Sequence, residues 1–240
     1  MLGYLAVSGM SIGVADADEH LRDLAGRIEY SYYAADARGL QQSLDALAKL
    51  SGDATHPDLG ASYLNYGRWK LAQLLAKDDA SRAAELAEAC ADTKPASKNS
   101  ASLATQHALV AACLEMLGEL RPLRRILYRS HRDTELAAAQ QTGSKIAQVQ
   151  FIAAWIASRL NASASPGDAL KQALVQFDVA ETAAGSSDAG WGHAEACYLQ
   201  GKAESAHGNL LAARNALEQA LVLAPDYRDA QQLLRSLSLK

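Results

Sequence analysis

The chain has few of the residues that mark enzymes, metal sites or sheets. Three cysteines in 240 residues, Cys90, Cys113 and Cys197, stand far apart and form no CxxC pair, so no zinc or dithiol redox motif is present. Small thiols buried on alanine-rich helices are the simplest account of all three. The six histidines, at 20, 56, 107, 131, 193 and 207, are never three or four residues apart, which leaves no helical His pair to hold a metal. Aromatics make up 6% of the chain, β-branched residues are sparse, and no stretch alternates apolar and polar residues long enough to form a strand. Phosphate-cradling G-x-x-x-x-G-K-[ST], H-E-x-x-H and a strand-borne G-x-G-x-x-G are all missing, and the G-x-S-x-G match at Gly9-Met10-Ser11-Ile12-Gly13 follows no strand that could make it a nucleophile elbow. Carboxylate pairs such as Glu85 and Glu88 fall on helix faces expected to meet water, where acid–base work has no pocket. No catalytic, cofactor or metal role is therefore expected. A formal charge of −4 also leaves too few cations for general affinity to nucleic acid.

What is abundant is alanine and leucine at helical spacing, and the class expected is all-α. The clearest stretch runs from Ala194 to Tyr227. Gly201 and Ala203 on its first helix, with Ala213, Ala216 and Ala220 on its second, put small residues where two helices touch. Gly208-Asn209 breaks the pattern between them, and Leu210, Leu217, Leu221 and Leu223 form a stripe that ends at Ala224-Pro225. This is a helical hairpin of about 34 residues.

Its length, with Gly201, Gly208, Ala213, Leu217, Ala220 and Pro225 at their offsets, resembles a tetratricopeptide repeat. It departs from the family pattern at Cys197, Gln200 and Glu204. The resemblance implies a right-handed α-solenoid of antiparallel helix pairs whose concave face binds a peptide or protein, a family not catalytic by itself. Looser copies fill the rest of the chain. Leu21 to Tyr33 and Leu40 to Leu50 make a first pair, closed by Gly52 and Pro57. Asp58 to Lys94 makes a second, with Ala83 to Pro95 spaced like Ala213 to Pro225. A third pairs Leu103–Leu117 with Pro122 to about His131, turning at Gly118. Thr134 to Leu160 reads as one long helix, partnered by Asp168–Ala184. A flexible loop, Gly185 to Gly192, leads into the diagnostic hairpin, and Tyr227 to Leu239 caps the stack, giving about five pairs and a capping helix over residues 18–240.

Residues 1–17 are apolar and small and end in Ala15-Asp16-Ala17, which resembles the tail of a secretory signal, although no Lys or Arg precedes Arg22. Either a truncated signal or a disordered N-terminus fits. Gly3, Ser8, Gly9, Ser11 and Gly13 dilute the segment too far for a membrane span. Export would place the protein in the periplasm or envelope of a bacterium, as an assembly or secretion accessory; without export, a cytoplasmic secretion chaperone is the alternative.

In the family, the first helix of each pair lines the concave side. Counting nine residues into the units that start at Gly60 and Ala194 gives Arg68 and Lys202, and the same face carries Tyr30, Tyr33, Trp155 and Tyr198. The groove so drawn is aromatic and basic, suited to an extended or helical segment with apolar residues and an acidic group or terminal carboxylate. An account in which the aromatics merely fill the core and the cations are solvated uses the same residues. A second docking strip is Arg121, Arg125, Arg129 and Arg132, spaced four, four and three apart on one helix face, for an acidic partner or a lipid headgroup; a solvated outer face explains it equally. A ligand-binding or catalytic cleft walled by Trp69, Trp155 and the tyrosines is the reading from a different class.

Overall fold

A computed structural model describes residues 11–50, 57–160, 167–184 and 190–237. It is built from eleven α-helices, with no strand among the described residues. They are α1 (Ser11–Tyr33), α2 (Ala37–Leu50), α3 (Pro57–Leu75), α4 (Ala80–Ala91), α5 (Ser100–Leu120), α6 (Arg125–Gly143), α7 (Ala147–Leu160), α8 (Gly167–Ala184), α9 (His193–Ala206), α10 (Leu210–Leu223) and α11 (Arg228–Leu237). A single 3-10 turn, Pro122–Arg124, precedes α6.

Consecutive helices pack on one another throughout. Beyond that, the two halves of the set behave differently: α1 meets α3, α3 meets α5, α5 meets α7 and α9 meets α11, whereas the even-numbered helices pack chiefly on their sequence neighbours. The composition of the elements follows from this. Inner α5 and α7 are apolar on nearly every side, from Ala104 to Gly118 and from Val149 to Ile156, as a helix surrounded by other helices must be. Outer α2 buries only Leu40, Ser43, Leu44 and Leu47, at helical spacing.

The final hairpin has the predicted boundaries. Gly208 takes φ +80° at the turn, a conformation that costs glycine nothing. A Cβ on Gly201 would stand 2.7 Å from Leu217 Cγ and 3.1 Å from the Ala213 carbonyl oxygen, so the glycine sets how closely α9 and α10 approach.

Several expectations are corrected. Gly118 lies inside α5, and the turn comes at Arg121-Pro122, where the proline occupies the first position of the 3-10 turn. The expected long helix from Thr134 to Leu160 is two helices, because α6 runs on to Gly143 and α7 begins at Ala147. A Cβ on Gly143 would lie 2.7 Å from that of Ala104, so glycine is needed where α6 closes on α5. α1 begins at Ser11, ahead of the expected Asp18; the remaining signal-like residues, the Gly52 closure and most of the Gly185 to Gly192 loop lie outside the described residues. The described end of that loop is not loose: Trp191 is buried and stacks on Tyr66 with ring centroids 4.4 Å apart.

Cys90 and Cys113 are not separate thiols. They form a disulfide, with Cα atoms 6.1 Å apart, that joins α4 to α5, while Cys197 is free and buried.

Replacing Gly201 by Ala should cost about 1–3 kcal/mol through overpacking against Leu217, and lower the melting temperature accordingly. An unchanged transition would show that α9 and α10 can part without penalty.

Candidate functional site

The deepest feature of the interior is polar. Lys70 of α3 is fully buried, and its Nζ forms an ion pair with Oε2 of Glu195 on α9, 125 residues away. The other carboxylate oxygen accepts a hydrogen bond from the Tyr66 hydroxyl at 3.0 Å. Aromatic rings enclose the ammonium: its Nζ lies 3.5 Å from the Trp69 ring centroid, 4.7 Å from Tyr32, 5.4 Å from Tyr66 and 5.7 Å from Phe151. Their electron-rich faces replace part of the hydration the cation has lost. Burial still pulls the Lys70 ammonium down to about 8, with Glu195 opposing the shift. Nearby Glu29 is pushed up to about 7, first by burial and then by repulsion from Glu195, with Lys70 acting in the other direction.

Above this pair opens a cleft of about 360 Å³. Its walls come from Tyr32 of α1, Gln73 of α3, Glu119 of α5, Trp155 and Arg159 of α7, Glu195, Tyr198 and Lys202 of α9, and Asp229 of α11, with Tyr227 just before it. Every lining helix is odd-numbered. Arg159 lies 4.8 Å from the Trp155 ring and is paired with Glu119. With that pair and Lys70–Glu195 each neutral, Lys202 and Asp229 are the lining charges that carry no ion pair among the described residues. Tyr198 packs 5.1 Å from Tyr227, and burial followed by Asp229 pushes its hydroxyl up to about 12, so it stays a neutral donor. The Tyr32 hydroxyl donates to Gln73 Oε1 at 2.9 Å, but Gln73 Nε2 is buried with no acceptor.

Of the residues drawn into a groove from the sequence, Trp155, Tyr198 and Lys202 meet at this cleft. Tyr33 does not line it but packs 4.8 Å from Tyr227 in the core beside it, and Tyr30 points outward, 61% exposed. Arg68 turns away, donating to the Ala89 carbonyl of α4 and to Asn65 Oδ1. Sequence reasoning missed Lys70 and Glu195. Their one signal was position, since a lysine next to Trp69 and Leu71 on an inner helix has no exposed face to occupy.

The arginine strip is divided. Arg121 makes a two-pronged ion pair with Glu88, and Arg132 is buried against Glu115 and Asp133. Arg125 and Arg129 have no such partner. No group of three or more His, Cys, Asp or Glu among the described residues could hold a metal, and none of the described helices is long and apolar enough to cross a membrane. Comparison with protein-family models, with curated proteins and with solved structures finds no match to the chain.

Two outcomes test the buried pair. Glu195→Gln leaves Lys70 without a counter-charge and should cost about 3–5 kcal/mol in urea denaturation, with part recovered as pH rises towards 8, because Lys70 without Glu195 sheds its proton at a lower pH than in the wild type. A wild-type midpoint would mean that the two charges are not coupled. Glu29 keeps its proton in the fold up to about pH 7, whereas a carboxyl in the unfolded chain loses it near 4.5. Folding therefore loses stability as pH rises through that window, and Glu29→Gln should flatten the slope and raise the melting temperature at pH 8 by about 3–5 °C. An unaltered slope would place the titrating group elsewhere.

Proposed function

We propose that the chain is a tetratricopeptide-like α-solenoid that works without catalysis, holding the end of another protein's segment in the cleft between its inner helices. One observation carries this reading: the cleft is lined by the first helix of every pair, α1, α3, α5, α7 and α9, and by the terminal α11, which is the inner layer such an array presents to its partner. The contents of the cleft suit an apolar side chain seated against Trp155 and Tyr198. Lys202 meets an acidic group or terminal carboxylate, and Asp229 accepts from backbone N–H groups. A preformed cleft spares the module the entropy of ordering itself.

The size of the cleft adjusts the ligand. Because α3 and α9 meet through Lys70 and Glu195, there is room for the end of a segment and not for a long extended stretch. That volume also falls in the range of small-molecule sites, which favours the ligand-binding domain as the second reading. A Cys90–Cys113 disulfide favours an oxidising compartment, in keeping with the signal-like first residues and with a periplasmic setting.

A photocrosslinking side chain at Tyr198, compared with one at the exposed Leu211 of α10, tests site and setting together in the native host. A discrete protein adduct at 198 and not at 211, recovered in the periplasmic extract, is the expected result. An adduct confined to cytosol would overturn the setting. No protein adduct at 198, together with a small molecule retained in native mass spectra, would overturn the proposed ligand in favour of the second reading.

A further inference from the structure

The corner between α5 and α6 carries an apolar face that nothing among the described residues covers. Leu123 is 102% exposed, Ile126 83% and Leu127 71%, and their spacing puts them on one side of the 3-10 turn and the first turn of α6. An isolated exposed aliphatic side chain means little, but three neighbouring ones form a patch. Charge around the patch is of one sign. Residues 121–132 hold five arginines and no Asp or Glu, in a chain whose net charge is negative. Carboxylates near the corner are already engaged: Glu88 with Arg121, Glu115 and Asp133 with Arg132, Glu119 with Arg159, and Glu135 with His107. Arg124, Arg125 and Arg129 are left without an ion pair among the described residues.

We propose that this corner docks on the surface of an anionic lipid bilayer, with Leu123, Ile126 and Leu127 entering the headgroup boundary and Arg124, Arg125 and Arg129 meeting lipid phosphates. Exposure and charge decide among occupants. A partner helix needs a groove to lie in, whereas Leu123, Ile126 and Leu127 stand out into solvent. A second copy joined about a two-fold axis would set the arginines of each against those of the other. A bilayer accepts protruding apolar side chains ringed by cations, and each element of the patch then has a counterpart. None of Leu123, Arg124, Arg125, Ile126, Leu127 and Arg129 lines the cleft, so the proposal is independent of what the cleft holds.

Co-sedimentation of the full chain with vesicles tests it, using phosphatidylcholine alone and an equal mixture with phosphatidylglycerol. Binding is expected to the mixed vesicles only, and to fall steeply with added salt. Two variants separate the parts. Leu123→Ser/Ile126→Ser/Leu127→Ser and Arg124→Ser/Arg129→Ser should each weaken binding about tenfold or more while melting like wild type, since the altered side chains are exposed. Absence of binding to the mixed vesicles, equal binding to the neutral ones, or retention by both variants each overturns the proposal. So does a vesicle-independent dimer dissolved by the triple serine variant, which would give the face to a second copy.

Discussion

The fold depends on an ion pair buried between its inner helices. Lys70 and Glu195 stand 125 residues apart in the chain, and neither charge can be carried into the interior unless the other arrives with it. Desolvation makes the pair a demanding contact, and that demand gives it its role: the inner helices have one arrangement in which the ammonium meets its carboxylate, Tyr66 completes the carboxylate's bonding and the rings of Trp69, Tyr32 and Phe151 close around the cation. Packing of alanine and leucine alone would leave many helix registers of similar energy. A buried charge with one possible partner removes most of them.

The same pair shapes the site. By drawing α9 onto α3 it converts what would be an open inner face into a bounded cleft, and it fixes Glu195 in the floor while Lys202, nearly two turns further along α9, stands at the cleft. Tyr33, packed against Tyr227, holds the first helix to the last in the same manner, so the aromatic residues serve both as core and as wall.

How much of this could be read from the sequence varies along the chain with the kind of force involved. Local signals were legible. Gly208 at a turn and Gly201 at the contact between α9 and α10 follow from backbone conformation and small-residue spacing, and the structure has them where the sequence put them. Elements defined by distant partners were not. Gly118 looks like a hairpin turn until α6 is seen packing along α5, and Gly143 looks like a tolerated interior glycine until Ala104 is brought against it. Cys90 and Cys113 lie 23 residues apart on separate helices, and nothing in that spacing aligns them before α4 and α5 dock. Lys70 reads as an ordinary solvated lysine because its partner is encoded so far away. At the site, Lys202 was reached by counting along its helix hairpin and Trp155 and Tyr198 by the helix face they share, while Arg68, found by the same count as Lys202, was diverted by the nearby Ala89 carbonyl.

Contact between α3 and α9 also bears on how such a chain can change over evolutionary time. Open stacks of helix pairs gain and lose units readily, since a duplicated pair meets the same neighbours as its parent. Here an inserted pair anywhere between residues 70 and 195 would carry the lysine away from its glutamate and strand both charges. The number of units is thereby locked, and diversification is left to point substitutions on the cleft walls and on the outer helices.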